Sequence, residues 1–97
     1  MIDTSIDALK VGDIQQIQDM IEILKSRHIE ARAFFEQMMY RLRDLMIEHL
    51  QERDFMIYSE ILAMFESAYS RLRSIPDAMM LIEITLLRIV KRSDILT

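Results

Sequence analysis

Phe34-Phe35-Glu36-Gln37-Met38-Met39-Tyr40-Arg41-Leu42-Arg43-Asp44-Leu45-Met46 is the stretch that decides the fold class. Its apolar residues return at steps of three and four. Phe34, Phe35, Met38, Met39, Leu42, Leu45 and Met46, with Leu50 beyond, make one stripe on a helix. Glu36, Arg41, Arg43, Asp44 and Glu48 fill the remaining positions. A strand would instead alternate residue by residue. The spacing predicts a helix over 30–51.

The same period extends in both directions. Upstream, Ile14, Ile17, Met20, Ile21 and Leu24 share one face and predict a helix ending near Ser26. Gly12 suits the left-handed end of a short helix over 5–10, and Asp13 suits the cap of the next. Lys25-Ser26-Arg27-His28 reads as a turn, its cations placed at a helix C-terminus. Downstream, Asp54 is a candidate cap for a fourth helix running to about Ser74. Pro76 fits the first turn of a fifth, which runs to about Lys91. Apart from Asp77, Glu83, Thr85 and Arg88, that last helix is apolar all round, which predicts a central position or burial in an oligomer. The expectation is an all-α fold, a compact bundle of about five helices in one domain.

Composition agrees. Gly and Pro occur once each among 97 residues, too few for a turn-rich sheet protein. With no Cys, disulfides, thiolate metal sites and thiol nucleophiles are ruled out, and a cytoplasmic setting is expected. A net charge of −4 argues against a surface built to neutralise phosphates. Apolar runs such as Ala78-Met79-Met80-Leu81-Ile82 fall far short of the ~20 residues that span a bilayer. The start, Met1-Ile2-Asp3-Thr4, lacks the basic and apolar pattern of a signal peptide. One Gly cannot make a phosphate-cradling loop, and no Gly-x-Ser-x-Gly elbow is present. His28 and His49 belong to no set with metal-ligand spacing. No catalytic, cofactor or metal residue is assigned.

What remains is surface for other proteins. Nine methionines are available as core or as adaptable contact, and the adjacent pairs Met38-Met39 and Met79-Met80 cannot both point one way. Arg71, Arg73, Arg88, Lys91 and Arg92 are the densest cations, either a solvated face or a patch for an acidic partner.

Three segments together resemble a known family. Leu9-Lys10-Val11-Gly12-Asp13 matches a Gly-Asp turn before a second helix. Phe35 to Met46, with Leu42-Arg43-Asp44-Leu45, matches a helix ending in Leu-Arg-Asp-Leu. Ser70 to Ile89, with Pro76, Glu83 and Leu86-Leu87-Arg88, matches a closing helix. In this order they resemble the third, collar domain of the bacterial DNA polymerase III gamma/tau subunit. Several family leucines are Met here, and Ser26-Arg27-His28 replaces a Gly-containing turn. The resemblance implies an oligomerisation domain, one piece of a longer ATPase subunit that loads the sliding clamp in DNA replication. Its partners would be other gamma/tau copies, delta and delta-prime, with no direct nucleic-acid or membrane contact. ATP, Mg and Zn would belong to N-terminal domains outside this sequence. Within it, Met79, Met80, Ile84, Leu87 and Arg88 are the candidate interface, and Arg43 with Glu83 a candidate structural ion pair. Two alternatives stand beside it. One is an unrelated helical adaptor or dimerisation module. The other is an all-α enzyme of the chorismate mutase type, which would need several cations converging on one pocket.

Overall fold

The computed structural model describes residues 1–92; residues 93–97 of the expected domain lie outside it. The described chain is all-α. Five helices follow one another: α1 (Ile2–Val11), α2 (Ile14–Ser26), α3 (Ala31–Glu48), α4 (Asp54–Tyr69) and α5 (Ala78–Val90). A 3-10 turn, Leu72–Ser74, lies between the last two. The bundle measures 39 × 24 × 24 Å. The longest two helices, α3 and α4, form a hairpin with the most extensive contact in the fold, and α5 packs on all four others.

Each helix boundary has a local cause. Gly12 closes α1 at φ 76, a conformation costly for a side chain, and its N–H bonds the Ala8 carbonyl. The Asp13 carboxylate accepts from the Gln16 N–H at 3.1 Å and opens α2. Glu30 caps α3 from outside, accepting from Arg32 and Ala33. The helix then stops at Glu48, three residues short of expectation, with a turn over 49–53. Leu50, placed on the core stripe by its spacing, is therefore 62% exposed.

Other boundaries also differ from the sequence reading, and α1 begins at Ile2 rather than Ser5. Asp54 does not cap α4; it is the first helical residue, and its carboxylate takes the Lys10 ammonium at 2.5 Å. α4 ends at Tyr69 rather than near Ser74. There the backbone tightens, with Arg71 N–H bonding Ala68 O and Ser74 N–H bonding Arg71 O, and Ile75 turns extended as residues before proline do. Pro76 lies outside α5, because Asp77 is the cap, its carboxylate accepting from the Met80 N–H.

The core lies where the stripes meet. Phe35, Phe65, Leu42, Ile61, Met38 and Leu86 are all fully buried. Phe35 packs edge-on against Phe34, Phe65 and Tyr69, with ring centroids 6.3, 5.9 and 6.3 Å away. Two buried polar residues are satisfied locally: the Thr85 hydroxyl bonds the Leu81 carbonyl, and Ser5 bonds the Met1 carbonyl and faces the Met20 sulfur.

Long-range polar ties lock α1 in place. Lys10 bridges to Asp54 and lies 5.2 Å over the Tyr58 ring. Its hydrogen bond to Asp54 raises the ammonium pKa above the usual 10.5. The fold thus favours the charged form. The resulting stability is complete below pH 10.5 and is lost as pH climbs through the raised folded value. Lys10→Met is expected to remove this part of the stability–pH curve and to cost about 0.5–1 kcal/mol at neutral pH, as a partly exposed pair does. Urea melts at neutral pH and above pH 11 check this. Equal differences between variant and wild type at both pH values would refute it.

Candidate interaction surface

The surface is built on α5. Its helical rotation of about 100° per residue sorts the side chains into two faces. Leu81, Ile82, Thr85, Leu86, Ile89 and Val90 point into the core. Met80, Ile84 and Leu87 line up on the opposite side, with Met80 42% and Leu87 41% exposed and Ile84 half-buried. The helix packs on all four others, yet it is not enclosed on every side. One of its faces belongs to the bundle and a second apolar ridge faces outward.

The candidate interface residues separate along this division. Met80, Ile84 and Leu87 form the ridge, and Arg88 is exposed at its edge. Met79 turns inward against the core and lines a hollow of 280 Å³ with Leu24, Lys25, His28 and Ile29. The pair Met79-Met80 divides between inside and outside. Met38 is fully buried and Met39 packs on the core, so the other pair stays within the bundle.

Two grooves of opposite charge flank the ridge. Between α2 and α5, Asp19, Glu22, Lys25, Glu83 and Leu87 are among the lining residues. Between α4 and α5, a hollow of 130 Å³ has Met64 and Ala68 in its wall with Ser67, Thr85, Arg71 and Arg88. Arg71 and Arg88 are exposed, and neither has a carboxylate partner among the described residues.

The predicted Arg43–Glu83 ion pair does not form. Arg43 projects from the exposed side of α3, where it bonds Asp44 at 3.0 Å and stacks on Tyr40. Glu83 pairs instead with Lys25 of α2 at 2.8 Å, which raises the Lys25 pKa. Both residues have apolar sequence neighbours, but Arg43 lies on an exposed side of α3 and Glu83 is half-buried at the edge of α5 facing α2.

The expected basic cluster is also divided. Arg92 turns inward, bonding the Leu9, Lys10 and Ile89 carbonyls and the Glu60 carboxylate. Arg73 lines a separate hollow with Arg32 and Tyr69. Only Arg71 and Arg88 come together in the α4–α5 groove. His49 has a partner the sequence reading passed over: its Nδ1 lies 2.7 Å from Glu52, three residues on. That is a single pair, and no group of three metal-ligating side chains occurs among the described residues. No described helix is long and apolar enough to cross a membrane.

Compared with known protein families, curated proteins and solved structures, the chain matches none.

Proposed function

We propose that this chain is a protein–protein assembly domain of the clamp-loader collar type. It holds subunits side by side through the outer face of α5 and does no chemistry of its own. The observation that carries the reading is the Met80–Ile84–Leu87 ridge, an apolar line left outward on a helix whose other face already fills the core. Exposed apolar residues in a contiguous line mark contact surfaces more than isolated ones do. The collar assignment rests on the three matching segments. In the first and third of these, residues of the resemblance stand at helix boundaries: Gly12 ends α1, Asp13 caps α2, and Pro76 precedes Asp77, the cap of the helix bearing Glu83, Leu86, Leu87 and Arg88. The partners are copies of the gamma/tau subunit, delta and delta-prime. ATP binding belongs to other domains of such a subunit.

The test is co-assembly. Light scattering after gel filtration of the chain mixed with delta and delta-prime from the same cell is expected to show a complex containing all three. Leu87→Glu should abolish it while leaving the helical circular dichroism unchanged, because Leu87 faces outward. Separate elution of the wild-type chain from both partners would reject the collar assignment.

A further inference from the structure

A positive spot stands on a chain that is acidic overall. Asp and Glu number 16 against 12 Lys and Arg, yet arginines from two elements gather around one short turn. The turn is the 3-10 segment Leu72–Ser74, with Arg71 just before it. It follows α4, at the end of the α3–α4 hairpin opposite residues 49–53. At three residues per turn, positions two apart are rotated by about 120° from each other. Arg71 goes to one side, into the hollow it shares with Met64, Ser67 and Ala68. Arg73 goes to the other, into a hollow of 270 Å³ with Arg32, Tyr69, Ser70 and Leu72. Among the described residues, neither hollow has a carboxylate in its wall.

The frame is fixed, and most of its positive charge is unmatched. The Ser70 hydroxyl donates to the Ser67 carbonyl at 2.7 Å, the Arg71 N–H to the Ala68 carbonyl at 3.0 Å and the Ser74 N–H to the Arg71 carbonyl at 2.9 Å. The Tyr69 hydroxyl donates to the Glu36 carboxylate at 2.8 Å and ties the root of the turn to α3. Arg32 Nε lies 3.5 Å from the same carboxylate, and its guanidinium stands 5.9 Å over the Tyr69 ring. A guanidinium has five N–H donors, so Arg32 keeps donors for a second acceptor. Arg73, like Arg71, is exposed and has no carboxylate partner among the described residues. Arginines clustered in this way recognise acidic motifs, through paired donors that match a carboxylate.

We propose that the 70–74 turn, with Arg32 beside it, is the docking site for an acidic segment of another protein, bound as an extended chain across the turn. Successive side chains of an extended chain point to opposite sides. A run of consecutive Asp or Glu residues thus offers one carboxylate to Arg71 and the next to Arg73 and Arg32. Leu72, half-buried between the two arginines, and the Tyr69 ring give the methylene stems of the segment an apolar floor. Charge of this kind selects the partner and speeds encounter more than it tightens the complex. The site uses none of Met80, Ile84 or Leu87. The segment can therefore sit there while the α5 ridge carries its own neighbours, and the site stands independently of the collar assignment.

Fluorescence anisotropy of a labelled peptide of about eight consecutive glutamates, long enough to cross the turn at roughly 3.3 Å per residue, measures binding to the full chain. Binding is expected at or below about 1 mM, the weak end of specific association. It should weaken as salt rises from about 0.05 to 0.5 M, because exposed charges are screened. Arg71→Glu and Arg73→Glu should each weaken it about tenfold, a repulsive contact replacing an attractive one. Both residues are exposed, so the helical circular dichroism should stay unchanged. Arg43→Glu makes the same change in net charge roughly 16 Å along α3 from Arg32, and should leave binding unaltered. A peptide with as many glutamates at every second position puts all its carboxylates on one side and should bind more weakly. No binding up to the 1 mM limit would overturn the proposal. An equal loss in Arg43→Glu would do so too, since the peptide would then follow net charge rather than the turn. Equal binding of the alternating peptide would remove the extended pose on which the proposal stands. A single-stranded oligothymidylate of the same charge, bound more tightly than the peptide, would overturn it in favour of a phosphate-bearing partner.

Discussion

Phe35→Ala is expected to lose about 3–5 kcal/mol of stability, the usual cost of deleting a buried ring. Phe35 is fully buried and is the ring around which Phe34, Phe65 and Tyr69 gather. It joins α3 to α4, the most extensive contact in the bundle. The loss includes the transfer of the ring to water, the cavity left behind and three edge-on aromatic contacts. A domain of this size has roughly 5–15 kcal/mol in total, so the variant should be near the edge of folding. At about 4–8 °C per kcal/mol, its melting temperature should fall by at least 12 °C or so. Phe35→Leu keeps most of the volume and should lose about 1–2 kcal/mol. Calorimetry on both variants reads the ordering, and an alanine variant melting like the wild type would mean the ring is not in the core.

Arg92→Ala is expected to lose about 2–3 kcal/mol, more than any other single surface-reaching cation. Most of its side chain is buried, and it donates to the Leu9 carbonyl at 2.6 Å, the Ile89 carbonyl at 2.9 Å and the Lys10 carbonyl at 3.3 Å. Leu9 and Lys10 are in the last turn of α1, where carbonyls have no partner within the helix. Hydrogen bonds from a charged donor contribute about 1.5–3 kcal/mol, and removing the donor leaves carbonyls buried and unpaired. Arg92→Lys should recover only part of the loss, because an ammonium cannot span acceptors on α1, α4 and α5 as a planar fork does. Urea unfolding gives the total. Native-state hydrogen exchange should show α1 amides losing protection first. Uniform loss of protection across the bundle would argue against a tie specific to α1.

Much of the fold was legible because helical spacing is a local property. The stripes through Ile17, Met20 and Leu24, and through Phe34, Phe35, Met38, Leu42 and Leu45, are the buried faces. The Gly12-Asp13 boundary was legible too, since both residue types act within four residues of themselves. What failed depended on distance. Nothing near Asp54 in sequence shows that Lys10, 44 positions earlier, takes its carboxylate. Nothing near Arg92 shows that its head group turns inward to α1. Glu83 pairs with Lys25 rather than Arg43, and nothing on its own helix reveals that Lys25 stands beside it. The interface followed the same rule. The sequence placed Met80, Ile84, Leu87 and Arg88 on the closing helix, but the residues that deepen the charge of its two flanks, Asp19 and Glu22 on one side and Arg71 on the other, come from elsewhere in the chain. The flanks exist only once the bundle has formed.

The Arg92 tie also bears on the order in which the molecule assembles. It joins positions 9 and 92, so making it closes nearly the whole described chain into a loop. The α3–α4 hairpin needs only a five-residue turn over 49–53. Closing the larger loop costs more chain entropy, so the hairpin forms early and the tie forms after the main barrier. Arg92→Ala should therefore speed unfolding while leaving the refolding rate nearly unchanged, and Phe35→Leu should slow refolding. The arginine that fastens both ends of the fold governs how long the native state lasts rather than how quickly it is reached.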